Sequence, residues 1–218
     1  MACGVDNNLA KLAFKAGSGT VDFTSGAELV EINPGETLNS TGTIVEGEGI
    51  RGTRARSVHN TRKGPRQHVG AIPFDLSISQ LKRWGEYALG DETANVLTPE
   101  ETIPVFALMM DKVSGIGKWE DCKVGALTIS GSASGVLKGS VDITAKTFTG
   151  SGLTFPTEVS SGVPLVLSDD AIDTPLILAD AVMTIGGTTY EFSSFELAIN
   201  NSLHTIVRNA LDPQCLRE

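Results

Sequence analysis

Aromatic residues are scarce in this chain of 218 residues, at 6%, and cysteines number only three. Cys3, Cys122 and Cys215 lie far apart and are odd in number, which argues against a disulfide scaffold and offers no zinc-type spacing. A reducing interior is the compartment this usage points to. No run approaches the roughly 18 apolar residues that a membrane-spanning helix needs, so no membrane role is expected. Met1-Ala2-Cys3-Gly4 lacks the charged and apolar regions of a signal peptide. Cys3 is then not expected to carry lipid, and without secretion the N-x-S/T matches at Asn39 and Asn200 have no use.

Groups that do chemistry are equally sparse. His59, His68 and His204 share no metal-ligand spacing, and the first two sit among bases that would repel a cation. Asp169, Asp170 and Asp173 lack the register and central glycine of a calcium loop and read as a solvated acidic turn. Gly47-Glu48-Gly49-Ile50-Arg51-Gly52 matches the dinucleotide fingerprint, but its continuation, Thr53-Arg54-Ala55-Arg56, opens no apolar helical face to place under a pyrophosphate. No Ser/His/Asp or Cys/His motif with a local signature appears. The chain is not expected to be an enzyme, and no cofactor or metal is implied.

Glycine is what the sequence has in excess. It holds 24 glycines among 40% hydrophobic residues, and these glycines punctuate short Val/Ile/Thr-rich runs. That spacing predicts many turns and a mainly β protein. Strand-like runs fall over 21–23, 27–32, 41–45, 69–78, 103–110, 124–130 and 136–147, with Gly135 and Gly139 as candidate bulge sites, and 9–14 is a short apolar run that fits strand and helix alike. Ala181 to Ile185, Gly186-Gly187 and Thr188 to Phe192 carry the strongest hairpin signal. Phe195, Leu197 and Ile199 then alternate in a following strand. The segments 91–101 and 150–173 read as polar loops.

One amphipathic helix is expected over Ile78–Leu89. Ser77 stands at the cap with Gln80 at capping-box spacing, and Gly90 stops it. Leu81, Trp84, Tyr87 and Ala88 recur at helical intervals, so this face should close over a sheet. The length fits a single domain over 1–218.

The charge distribution is the functional signal. Formal charge is −9, yet Arg51, Arg54, Arg56, Arg62, Lys63 and Arg66 fall in a stretch, 51–74, with no carboxylate. Without that stretch eleven bases face twenty-six acids. A long basic loop over 47–70, lying between two strands, is expected to meet an acidic surface. Nucleic acid, membrane or another copy of the chain are the candidates, beside a plain solvated loop. Phosphate binding needs only charge, but 51–73 holds no Phe, Tyr or Trp on which a base would stack.

Three stretches in order resemble the major tail tube proteins of long-tailed (siphovirus-type) bacteriophages. They are Gly49-Ile50-Arg51-Gly52-Thr53-Arg54 with Val69-Gly70-Ala71-Ile72-Pro73-Phe74, Asp121 to Ser130 running into Val136 to Lys146, and Thr188 to Leu203. The resemblance implies two packed sheets, a sandwich or barrel, with the flanking helix. It implies rings, six copies each, whose strands line one lumen, a long loop reaching the next ring, and stacked rings that conduct DNA during ejection. The six bases above would be inter-subunit contacts, and an acidic lumen would keep DNA from sticking. The implied partners are the chain itself with tape measure, tail terminator and baseplate proteins, in a virion made in the bacterial cytoplasm. A related tail-end or baseplate ring protein of the same fold is the alternative, and a nucleic-acid-binding β protein using the basic loop is a further one. Similar proteins continue past a segment like Leu211-Asp212-Pro213-Gln214 into further strands, which this chain, ending at Glu218, does not. A truncated chain and a sheet closed with less are both open readings.

Overall fold

The computed structural model describes residues 10–46, 61–112, 114–133, 135–160, 163–164, 174–206, 213 and 215–217. Strands dominate and there is one α-helix among the described residues, as the glycine punctuation implied. Nine strands join in one antiparallel sheet that turns about its longest member, β8 (Ile116–Ser132). The first half of β8 lies between β7 (Phe106–Asp111) and β10 (Thr147–Thr149), and β1 (Lys11–Ala16) and β2 (Glu28–Val30) continue outward from β7. Its second half lies between β9 (Lys138–Ala145) and β15 (Ser194–Asn200), and β4 (Thr61–Asp75) and β3 (Asn39–Glu46) continue outward from β9. We term these sheet I, in the order β2-β1-β7-β8-β10, and sheet II, β15-β8-β9-β4-β3.

The change of partners happens at Glu120-Asp121-Cys122. Asp121 has φ of 52°, and its carboxylate accepts from the Gly19 amide at 2.6 Å and faces Lys146 at 3.4 Å. Glu120 is buried, accepting from the Val21 amide at 2.9 Å and lying 2.7 Å from Lys118. The two consecutive acids therefore hold strand and loop together at the turn of the sheet, rather than ending the strand.

Both faces of sheet I are covered. Phe106 to Met110 are all buried, which is why β7 reads as an unbroken apolar run instead of an alternating one. Phe14, Phe106, Leu108 and Met110 enter the main core, whereas Ala13, Ala107 and Met109 pack under Val21, Phe23 and Ala27. Sheet II is buried on one face only. Val141, Ile143 and Ala145 point to the core, and Asp142 and Thr144 point away from it.

Helix α1 (Ile78–Leu89) occupies the expected residues and covers the main core. Ser77 Oγ accepts from the Gln80 amide at 3.3 Å. The Gln80 side chain does not return to the cap but accepts from Trp84 Nε1 at 2.9 Å and donates to the Glu31 carbonyl at 3.1 Å. Gly90, at φ of 121°, ends the helix. Trp84 is fully buried, with its ring 5.9 Å from Phe14, 6.1 Å from Phe74 and 5.9 Å from Phe106, so it joins both sheets to the helix.

Several expectations need correction. The segment 91–101 is no loop over most of its length: β5 (Gly90–Thr93) and β6 (Val96–Pro99) form a hairpin across Ala94 and Asn95, both at positive φ. Glu92 accepts from the Asn95 amide at 2.7 Å and Asp91 from Thr93 Oγ1 at 2.9 Å, which fixes a turn that carries no glycine. Gly135 and Gly139 are not bulges; the register shift falls at Gly125, between Val124 and Ala126. Gly139 instead makes room for Phe74, since a Cβ there would lie 2.3 Å from that ring. The 150–173 segment includes a short strand pair, β11 (Glu158–Ser160) with β12 (Val163–Pro164). The basic loop is shorter than the expected 47–70: residues 61–70 belong to β4, held by its pairing with β3. The remaining pairs are β13 (Met183–Ile185) with β14 (Thr188–Tyr190), and β16 (His204–Ile206) with β17 (Cys215–Arg217).

Candidate assembly interface

Sheet II ends in two long unpaired edges. β3, of eight residues, and β15, of seven, each have a strand on one side only among the described residues. The edges of sheet I, β2 and β10, are only three residues long. A long exposed edge is a row of unpaired amides and carbonyls, a template for another strand. Every neighbouring pair in sheet II is antiparallel, so β3 and β15, four strands apart, run in the same direction.

The face of sheet II turned from the core is polar and small. Pairing places Ala71, Asp142, Ala126 and Asn200 in one row, and Pro73, Ser140, Thr128 and Ala198 in the next. Asp75, Lys138, Ser130 and Glu196 follow, while Val69, Thr144 and Lys123 precede them. Charges nearly balance, hydroxyls are frequent, and none of these residues is aromatic.

Beyond β9 the β3–β4 pair continues alone. β4 first meets β9 at His68, so among the described strands Thr61 to Gln67 pair with β3 only. At about 3.3 Å per residue this ribbon projects roughly 20 Å past the sheet. Of the six bases singled out from the sequence, Arg62 and Lys63 are exposed on this ribbon, and Arg66 is half-buried on it. Arg51, Arg54 and Arg56 lie outside the described residues, as do the 47–52 glycine motif and Asp169, Asp170 and Asp173. Ile44 and Val45 are exposed on the same ribbon, at 73% and 55%. At its base His68 is buried, 2.9 Å from Ser40 Oγ and 6.0 Å from the Phe148 ring.

A second projection was not foreseen as a surface. The 174–178 segment is stitched to the end of sheet II by Leu137 N–H to the Leu176 carbonyl at 2.8 Å and Leu176 N–H to the Leu76 carbonyl at 2.7 Å. The chain then leaves the body. All of 182–190, containing β13 and β14, is exposed, including Val182, Met183, Ile185 and Tyr190. The sequence signal for this hairpin was its Gly186-Gly187 turn, at φ of 58° and 82°. Nothing in that signal distinguishes a buried hairpin from an exposed one. Asn201 fastens the far end of β15, donating to the Ala88 and Val124 carbonyls at 2.9 Å each.

Features suited to catalysis do not gather. The Cys122 thiol is fully buried, and burial pushes it well above its ordinary value, so it is a poor nucleophile. No cluster of His, Cys, Asp and Glu among the described residues has metal-site geometry, and no described helix is long and apolar enough to cross a membrane. Open strand edges and projecting ribbons are instead the equipment of a structural building block. A family model described as phage tail tube protein matches residues 7–214, and the chain belongs to that family. The family is structural and not enzymatic, and membership implies a component of the phage tail that assembles with itself into a tube. No match was found among curated proteins.

Proposed function

We propose that this subunit closes into rings, six copies each, by joining the β3 edge of one copy to the β15 edge of the next, and that stacked rings conduct DNA during ejection. The observation that carries the reading is the pair of long, codirectional edges on a sheet with one unpartnered polar face. Rotation about an axis along the strands brings β3 beside β15 in parallel pairing, and closure leaves no edge exposed. The polar face then lines the lumen. The six bases, Arg51, Arg54, Arg56, Arg62, Lys63 and Arg66, act between subunits rather than on DNA. Tape measure, terminator and baseplate proteins are the tail partners, and the virion is the site of action.

The lumen so built is less acidic than net charge implied. Asp75, Asp142 and Glu196 stand against Lys123 and Lys138 on that face. Slippage of DNA then follows from the shortage of positive charge and of stacking rings, rather than from strong repulsion. Negative-stain microscopy and sedimentation of concentrated protein, seeded with tail-tip complex, test the reading. Rings or hollow tubes are expected, and a strictly monomeric protein across salt and concentration would refute it.

A further inference from the structure

We propose that the β13–β14 hairpin is the docking surface for the β3–β4 ribbon of a second copy of this chain, one placed along the strand axis in the next ring. The inference rests on the ring-and-stack reading above and assigns the stacking contact to named residues.

Three observations support it. First, the hairpin has no partner element among the described residues of its own chain. A two-stranded hairpin alone in water is marginal, yet this one exposes Val182 at 76%, Ile185 at 61% and Tyr190 at 48%. Second, the two projections are complementary in charge. From Thr174 to Ile206 there is no Lys or Arg, while Asp180, Glu191 and Glu196 are exposed. The ribbon offers Arg62, Lys63 and Arg66 beside exposed Ile44 and Val45, so apolar patches of both partners are flanked by opposite charge.

Third, the projections leave opposite ends of the molecule. The hairpin is anchored beside Leu76 and Leu137, next to the Asp75 end of β4, whereas the described part of the ribbon runs out to Thr61, the other end of the same strand. Fourteen steps of strand separate them, about 45 Å, so a ribbon points away from its own hairpin. Opposite ends that attract make a head-to-tail contact, and one directed along the strand axis, with no rotation that closes it, repeats as a filament. Ring closure through edges and stacking through ribbon and hairpin are therefore separate interactions.

The test uses the full-length protein with tail-tip seed. Val182→Glu with Ile185→Glu alters only exposed positions, so circular dichroism and thermal unfolding of the subunit should match wild type. Rings should persist while mean tube length falls at least tenfold. Arg62→Glu with Lys63→Glu should do the same, and adding Glu191→Lys to that pair should recover tubes at least in part. Lys63→Cys with Ile185→Cys, in a Cys3→Ser/Cys215→Ser background that leaves only buried Cys122, treated with a short bis-maleimide, should give a ladder of cross-linked chains from tubes and none from isolated rings or from the background alone. Unchanged tube length in both charge variants, or a ladder from isolated rings, would overturn the assignment. Natively folded Val182→Glu/Ile185→Glu protein that makes neither rings nor tubes would place the hairpin in the ring contact and likewise overturn it. If wild type itself forms no ring, it is the ring reading of the preceding section that fails.

Discussion

Trp84→Ala is the sharpest test of how the subunit is held together. The indole is fully buried and meets Phe14, Phe74 and Phe106 at centroid distances between 5.9 and 6.1 Å. It also donates to Gln80 Oε1 at 2.9 Å, and Gln80 is itself buried and bonded to the Glu31 carbonyl. Truncating a core aromatic costs about 3–5 kcal/mol. Here the orphaned Gln80 acceptor and the loss of three ring contacts put the expected value near the top of that range, about 5 kcal/mol. Domains are stable by only about 5–15 kcal/mol, so the variant should be close to unfolding at growth temperature.

The measurement must be made on unassembled subunits, because assembly adds concentration-dependent stability that would mask the loss. A fall in Tm of roughly 10–20 °C is expected for a chain of this size. Trp84→Phe should keep most of the stability by retaining ring packing, losing chiefly the hydrogen bond to Gln80. Lys82→Ala, away from the buried face, should stay within about 0.5 kcal/mol of wild type. Wild-type stability of Trp84→Ala together with failure to form rings would refute the reasoning: α1 would then be an inter-subunit element and the core misplaced.

Three further outcomes are expected. Gly70→Ala should destabilise the subunit by about 1–3 kcal/mol in denaturant titrations, because a Cβ there would lie 2.3 Å from the Leu38 Cα, on backbone that the Thr37–Ala71 hydrogen bonds fix in place. Tyr87 is raised from 10.0 to about 12, by burial first and by Glu86 and Glu28 next; its contribution is fully present below pH 10 and is lost as pH rises towards 12, so subunit stability should fall across that window and phenolate absorbance from Tyr87 should appear late. Assembled tubes should bind free DNA weakly in gel-shift series, whereas a free nucleic-acid reader would show a steep salt slope of about −0.9 per duplex phosphate contacted.

What could be read from sequence was local. Helix α1 was legible to its ends because Ser77, the recurrence of Trp84, Tyr87 and Ala88, and Gly90 all agree. The Gly186-Gly187 hairpin was legible for the same reason, since its turn demands positive φ twice. β8 was visible only from Val124 because Glu120-Asp121 looks like a strand end. Its carboxylates are satisfied by Gly19, Val21, Lys118 and Lys146, partners up to a hundred residues away that no local pattern announces. The β5–β6 hairpin was missed because its turn uses Ala94-Asn95 in place of glycine. Half of the candidate interface was legible as a basic segment. The other half was not, because Val182, Met183, Ile185 and Tyr190 form an ordinary hairpin pattern and only their exposure in the fold makes them a surface.

Charge placement also bears on polarity. A subunit at −9 repels its copies, and at the concentrations of an assembling tail that repulsion opposes every approach alike. The basic ribbon and the hairpin flanked by Asp180 and Glu191 break this symmetry, because they lie towards opposite ends of one 15-residue strand. Ribbon-to-ribbon contact sets cation against cation, hairpin-to-hairpin contact sets carboxylate against carboxylate, and only head-to-tail contact is attractive. The proposed backbone pairing of β3 with β15 has no such preference for charge, yet it too is directional, since the two strands run in the same sense. In the proposed assembly the same sense of the strands therefore propagates around each ring and from ring to ring. A conduit built this way would have one direction throughout, as the terminator and baseplate proposed for its two ends require.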